Sequence, residues 1–353
     1  MRGLFAFLML VDVRADAGTV GGSREGAVEM TTHVRWGILG ASKFALEHMG
    51  PAIHAARGGA LTTIASSSAE KAAPFVDKVP GLKVFDDYDA LLADDGIDAV
   101  YVPLPNHLHV EWTLKALRAG KNVLCEKPIA MRADEIDEII ALRDKTGLLA
   151  AEAYMIVHHP QWQKARALYE EGAIGELVRV SGAFSYDNSS DGGNIRNRPE
   201  TGGGAIPDIG VYTFGSARYV TGQDPQEILS TAIRYENGVD VWSHITAQFP
   251  SFHYTAVNSM RMSPWQDMTF HGSLGVMRLT APFNPMVYGE ARIDLHQGDG
   301  EIRTYRFPAA NHYVLQVEAF NRTVTRGESY ACPLEFSRGT QAMIDMVFDK
   351  DRV

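Results

Sequence analysis

The chain has 353 residues, enough for roughly two domains at about 150 residues each. It is 45% hydrophobic and 22% charged, a globular balance that excludes disordered, collagen-like and disulfide-scaffold proteins. Lysine and arginine number 33 against 43 acids, a formal net charge of −10 without any basic run, so a nucleic-acid-binding surface is not expected.

At the start of the sequence, the apolar run 4–11 behind Arg2, followed by Ala15-Asp16-Ala17, outlines a short signal peptide. The run is brief, however, and Asp12 and Arg14 follow it directly. Met30-Thr-Thr-His-Val-Arg-Trp36 reads as a natural start, so residues 1–32 are expected to be a disordered or mis-assigned extension. A cytoplasmic location is expected, with export as the alternative. No stretch reaches the 18 or more apolar residues of a membrane-spanning helix. Cys125 and Cys332 lack CxxC spacing and read as free thiols.

From residue 34 onward, short β-branched runs alternate with helical patterns, the signature of βαβ units and a parallel sheet. Residues 34–40 form a predicted strand, 43–57 a helix closed by Gly58-Gly59, 61–66 a strand and 69–78 a helix. Later strands are predicted at 98–103, 122–125 and 148–152. Between them, helices at 108–119 and 133–145 end at Gly120 and Gly147. After Ala153 a helix at 161–171 leads into longer alternating strands such as 177–186 and 239–249, broken by a Gly/Ser/Asn loop at 188–204. Helices at 314–324 and 339–348 close the chain. The fold class is therefore α/β: a parallel-sheet nucleotide-binding domain at 33–153, then an α+β domain at 154–353 on an open, largely antiparallel sheet that binds substrate and oligomerises.

The first strand runs into Gly40-Ala41-Ser42-Lys43-Phe44-Ala45, which fits the dinucleotide fingerprint with Ser42 in the second glycine's place and Ala45 in the third's. The first glycine makes the tight turn, the second admits the pyrophosphate, and the third allows close helix packing. Where an NAD enzyme usually carries an acid for the ribose, this chain has Ser66-Ser67-Ser68-Ala69-Glu70-Lys71. Hydroxyls and a nearby cation suit a 2′-phosphate, so NADP is favoured with NAD still possible. The serines also suit a simple helix cap.

Two further segments, Pro103-Leu104-Pro105-Asn106-His107-Leu108-His109 and Gly120-Lys-Asn-Val-Leu-Cys125-Glu126-Lys127-Pro128, complete a resemblance to the glucose-fructose oxidoreductase and inositol dehydrogenase family. Asp208-Ile-Gly-Val-Tyr212, with Asn194-Ile-Arg196 upstream, resembles the tyrosine-bearing branch of that family. The resemblance implies a Rossmann domain and places Leu104, Pro105, Asn106, His109, Glu126, Lys127 and Arg196 at the cofactor. It also implies a catalytic set of Lys127, Asp208 and Tyr212. His109 reads as a structural residue beneath the nucleotide.

Oxidising an alcohol requires a base for the hydroxyl proton while hydride leaves for the nicotinamide. Free tyrosine, with a pKa of about 10, is a poor base at neutral pH, and a neighbouring lysine is expected to lower that value. Tyr212 with Lys127 then forms a workable acid–base pair, and Asp208 orients the substrate or Lys127. The expected activity is NADP-dependent hydride transfer to or from a sugar or cyclic polyol, in a homo-oligomer, with no metal, membrane or nucleic-acid partner. A non-catalytic dinucleotide-binding regulator and a redox-neutral, NAD-dependent glycosidase are the alternatives.

Overall fold

The computed structural model describes residues 33–298 and 300–352; the readings made for residues 1–32 fall outside them. The first six strands are β1 (Val34–Leu39), β2 (Gly59–Ala65), β3 (Lys83–Phe85), β4 (Ala99–Val102), β5 (Asn122–Cys125) and β6 (Ala150–Glu152). They form one all-parallel sheet in the order β3-β2-β1-β4-β5-β6. Helices cover both faces, so its central strands are mostly apolar, with β4 buried at every residue and Arg35 the exposed residue of β1. Trp36, Ile53, Ile64 and Leu124 pack on one face, and Val100, Leu117, Val123 and Ile139 on the other. Strand β3 had no sequence reading; its three edge residues, two exposed and one half-buried, carry no periodic signal.

The remaining strands are β7 (Leu177–Asp187), β8 (Glu227–Glu236), β9 (Val239–Gln248), β10 (His253–Ser259), β11 (Arg261–Gly272), β12 (Gly275–Thr280), β13 (Arg292–Gln297) and β14 (Glu301–Arg306). Their order is β14-β13-β12-β11-β7-β10-β9-β8, antiparallel except where β7 runs parallel to β10. One face is buried under the helices Pro160–Glu170 and Val211–Thr221, around Trp162, Phe214, Tyr254 and Phe270. The helix at 211–221 was not foreseen. Nine of its eleven residues are buried, and an element surrounded on all sides shows no amphipathic stripe.

A second difference concerns the helix His312–Arg326. Assigned by sequence to the second domain, it returns to the first sheet, where Val317 and Phe320 join the core around Trp36. Trp36 Nε1 donates to Asn321 Oδ1 (2.9 Å), and Asn321 Nδ2 donates to the Arg57 carbonyl (3.0 Å). The Arg57 guanidinium pairs with Glu318 at 2.9 Å. The two sheets belong to one compact unit. No helix among the described residues is long and apolar enough to cross a membrane.

Candidate active site

Strand β1 ends at Leu39 and the chain turns at Gly40, whose φ of +104° favours glycine. A Cβ there would lie 2.9 Å from Leu104 Cδ2 and 3.1 Å from the Tyr88 hydroxyl, so the bare backbone is needed on spatial grounds too. Ser42 Oγ accepts from the Ala45 N–H (3.1 Å), starting the helix, and Ala45 is buried as the packing position requires. Ser42 and Phe44 stay partly open to a cleft at the carboxyl ends of the parallel strands, and Ala41 beside them is half-buried. This is a cradle that fits a dinucleotide pyrophosphate.

At the end of β2, Ser66 is buried. Its hydroxyl donates to the Ser68 carbonyl (3.0 Å) and accepts from the Ser68 N–H (3.2 Å). Ser68 in turn caps the next helix through the Lys71 N–H (3.3 Å). Two of the three hydroxyls therefore build the turn, and Ser67 and Lys71 remain exposed beside it.

The cleft has a volume of about 560 Å³ and lies between the two sheets. His109 forms its floor, with Nδ1 2.7 Å from the Pro128 carbonyl and Nε2 2.7 Å from the Leu104 carbonyl, which ties residues 104 and 128 together. Beside half-buried Pro105, Asn106 Nδ2 reaches across to the Gly202 carbonyl (2.8 Å). Glu126 accepts from the Tyr101 hydroxyl (2.6 Å), and burial raises its pKa against the nearby Lys127 charge.

The centre of the cleft is the Asp208 carboxylate. Its Oδ1 accepts from Lys127 Nζ (2.9 Å) and is paired with Arg196 Nε (2.9 Å), while its Oδ2 accepts from the Tyr186 hydroxyl (2.6 Å). Lys127 Nζ donates a second bond to the Asp208 backbone carbonyl (2.7 Å). Burial pushes this carboxyl up, but Arg196, Lys127 and Tyr186 outweigh it and hold its pKa well below the usual range.

Tyr212, one helical turn on, has its ring 5.0 Å from Lys127 Nζ and stacked on Tyr154. It is only 5% exposed, and its hydroxyl lies 3.3 Å from Met155 Sδ. The expected depression of its pKa by Lys127 is not found. Burial, followed by Tyr313, Glu126 and Asp208, drives it well above the ordinary value, because the Lys127 ammonium is committed to Asp208 and faces the ring rather than the hydroxyl. The structure thus brings Lys127, Asp208, Tyr212, Arg196, Glu126 and the Gly40 turn to one cleft, with Ser66, Ser67 and Lys71 at the end of the neighbouring strand. Among the described residues no group of three His, Cys, Asp or Glu side chains is placed to hold a metal ion.

Two family models match the chain: an oxidoreductase family with an NAD-binding Rossmann fold over residues 34–154, and the GFO/IDH/MocA C-terminal domain over residues 162–278. The chain belongs to the GFO/IDH/MocA oxidoreductase family. It is similar to a dTDP-3,4-didehydro-2,6-dideoxy-α-D-glucose 3-reductase of Actinomadura kijaniata, 31% identical over 89% of this chain and 93% of that protein. A D-xylose 1-dehydrogenase (NADP(+)) of Haloferax volcanii is 30% identical over 89% of this chain and 96% of its own length. The crystal structure of a 3-ketoreductase from Actinomadura kijaniata with NADP and TDP-benzene matches with a TM-score of 0.83 at 30% identity, covering 90% of this chain and 98% of that one.

Within this GFO/IDH/MocA site, two residues lay outside the sequence reading. Tyr186 was indistinguishable from a packing aromatic. Asp240 did carry a signal, an acid inside the apolar alternation Val239-Asp-Val of β9. It is buried, and its Oδ2 accepts from the Ile206 N–H (2.6 Å), at the start of the helical stretch that carries Asp208 and Tyr212. Burial, with Asp208 adding repulsion, raises its pKa to about 7 against the backbone bonds it receives.

A carboxyl whose pKa is raised on folding stabilises the protein fully below its unfolded value, 3.8, and that contribution is lost as pH climbs through about 7. Asp240→Asn should therefore flatten the decline of stability over that window. Urea midpoints for both proteins at several pH values check this, and parallel curves would show that Asp240 does not titrate there.

Proposed function

We propose that this protein is an NADP-dependent oxidoreductase that transfers hydride between the nicotinamide and a sugar or cyclic polyol, with Tyr212 as the proton carrier and Lys127 assisting. The observation that carries the reading is the Lys127–Asp208 pair beneath the Tyr212 ring, in the cleft that also holds the Gly40 turn. The similar dTDP-sugar reductase and D-xylose dehydrogenase, and the NADP in the related crystal structure, support the substrate class and the cofactor.

Gly40, Ala41, Ser42, Phe44 and Ala45 would hold the pyrophosphate, and Ser67 and Lys71 the ribose end. Leu104, Pro105, Asn106, Glu126 and Arg196 would border the remainder. When bound, the nicotinamide supplies or accepts the hydride. Lys127 spends two N–H bonds on Asp208 and keeps a third for the substrate oxygen. Asp208, fixed in the ionised state by two cations, orients that ammonium. Tyr212, whose pKa is raised, rests as the neutral phenol. In that form it would serve as the proton donor when a carbonyl is reduced.

The reading includes a homo-oligomer formed through the outer face of the second sheet. Trp242, His244 and Thr246 of β9 alternate with buried Ser243, Ile245 and Ala247 and so face away from the core. Light scattering at micromolar concentration should give a dimer or larger species, and a monomer would count against that face.

A screen of reduced-nicotinamide absorbance with both cofactors against aldoses, ketoses, lactones and cyclic polyols tests the activity; no turnover with any of them would leave a non-catalytic nucleotide-binding protein. Lys71→Glu should raise the Michaelis constant for NADP by about tenfold and leave that for NAD nearly unchanged, since a carboxylate would then face the 2′-phosphate. Equal effects on both cofactors would remove Lys71 from phosphate recognition.

Tyr212→Phe deletes one hydroxyl and keeps the stacked ring. Turnover should fall about 100-fold or more, the usual range for a lost general acid or base, while cofactor affinity by fluorescence titration stays within about twofold. Near-normal turnover would make Tyr212 structural and turn attention to Tyr186, whose hydroxyl is bonded to Asp208.

A further inference from the structure

A second cavity of about 460 Å³ adjoins the cleft and shares Phe44, Asn284 and Tyr313 with it as a common wall. Its character differs from that of the cleft. No Lys, Arg, Asp or Glu lines it. Phe44, His48 and Tyr313 form a trio of rings with centroids 5.0–5.6 Å apart. Opposite them the loop between β12 and β13 presents Pro285, Met286 and Val287. Met286 is 81% exposed and Val287 73%, and the turn is closed by the Met286 N–H donating to the Gly289 carbonyl (2.8 Å). Two adjacent apolar side chains held out at a loop tip, beside an aromatic wall, form a patch that gains from being covered.

Of the polar side chains that line it, Asn284 and Tyr313 lie at the boundary with the cleft, and His48, Asn311 and His312 lie beyond it. At that boundary Asn284 Oδ1 accepts from Gln266 Nε2 (2.9 Å), and Asn284 Nδ2 approaches the Tyr313 hydroxyl (3.5 Å). The Asn311 side-chain oxygen is already spent on capping the helix that begins at His312. A molecule reaching from the cleft into this chamber thus passes from charged and hydroxyl-rich walls, through an amide and a phenol, to aromatic and aliphatic ones.

We propose that the chamber is a substrate subsite for an uncharged aromatic or apolar group carried by the sugar, so that the preferred substrate class is an aryl- or alkyl-substituted glycoside rather than a nucleoside-diphosphate sugar. The proposal rests on the sugar-oxidoreductase reading of the cleft. The chamber offers no cation to a diphosphate, whose charges would lose solvation without a partner. It offers an aromatic ring three ring neighbours and two aliphatic side chains. The group would be attached to the sugar, because the two spaces adjoin at Phe44, Asn284 and Tyr313, which line both.

The test is calorimetric titration of the full chain, saturated with NADP, using methyl β-D-glucopyranoside, phenyl β-D-glucopyranoside and TDP-glucose. The phenyl glycoside should bind at least about tenfold more tightly than the methyl glycoside, within the range for filling an apolar pocket, and more tightly than TDP-glucose. Val287→Asp, at an exposed loop position, should abolish the phenyl advantage and leave methyl glycoside binding as the internal reference. Equal or weaker binding of the phenyl glycoside, no detectable binding of it at millimolar concentration, tighter binding of TDP-glucose, or a phenyl advantage that survives Val287→Asp would each overturn the subsite. Turnover in the sugar screen is read separately. Its absence with phenyl binding intact would defeat the hydride-transfer reading and leave the subsite standing, and turnover without phenyl discrimination would do the reverse.

Discussion

One buried carboxylate organises this molecule. Asp208 gathers Lys127 from the loop after β5, Arg196 from the loop after β7 and Tyr186 from β7 itself, and three strong bonds converge on two oxygen atoms. Withdrawing charges from water costs several kcal/mol per ion unless partners replace the lost hydration, and here each charge is compensated by a group from another part of the chain. The two sheets are therefore coupled through the chemistry of the site as well as through apolar packing. Loss of Asp208 would leave two cations facing each other in the cleft, whereas loss of one cation would leave the carboxylate still paired.

That arrangement fixes the proton inventory. Asp208 is held ionised, Tyr212 is held as a neutral phenol, and Glu126 is pushed up by burial while the Tyr101 hydroxyl bonds to it. Neighbouring groups whose environments drive their pKa values in opposite directions are the physical basis of acid and base roles. With the ammonium of Lys127 directed to Asp208, the phenol is not activated as a base in the resting protein. Under the proposed function, it would be the neutral proton donor to a substrate oxygen on which negative charge develops. Asp240 adds support from behind, where its carboxyl meets the first free N–H groups of the helical stretch bearing both Asp208 and Tyr212.

The parts legible in the sequence were those dictated by backbone constraints. Gly40 is favoured as glycine because of its φ of +104°, where a Cβ would also crowd the ends of the Leu104 and Tyr88 side chains, and such a constraint marks the sequence at one fixed place. The alternation of strand and helix up to residue 153 was legible for a similar reason, since a sheet covered on both faces produces continuous apolar runs. The helix at 211–221 was not, because its burial on nearly every side erases the 3.6-residue period. Neither was the return of the helix His312–Arg326 to the first sheet, which rests on a hydrogen bond between residues 285 positions apart. The acidity of Tyr212 was misjudged because residue types establish that a cation is near a phenol, while only the fold decides whether it faces the hydroxyl or the ring. Tyr186 gave no signal, as an aromatic on an alternating strand reads as packing until its hydroxyl is found 2.6 Å from a carboxylate.

Under the proposed function, reaction and selectivity would be carried by different kinds of structure. The groups proposed to move protons stand on rigid elements: Lys127 two residues after β5, and Asp208 and Tyr212 on a helical stretch anchored at its start by Asp240. The surfaces that would contact the non-reacting part of a substrate come from the turn at 284–289 and the segment before the helix at 312, both set on the ends of strands and open to solvent at their tips. Substitutions there can alter what fits without disturbing the Asp208 cluster, because no hydrogen bond of that cluster originates in either segment. A fold built on this plan could exchange substrates by changing loops while retaining one arrangement around Asp208, and the polarity of the loops, rather than that of the proposed catalytic set, would then carry the substrate's chemistry.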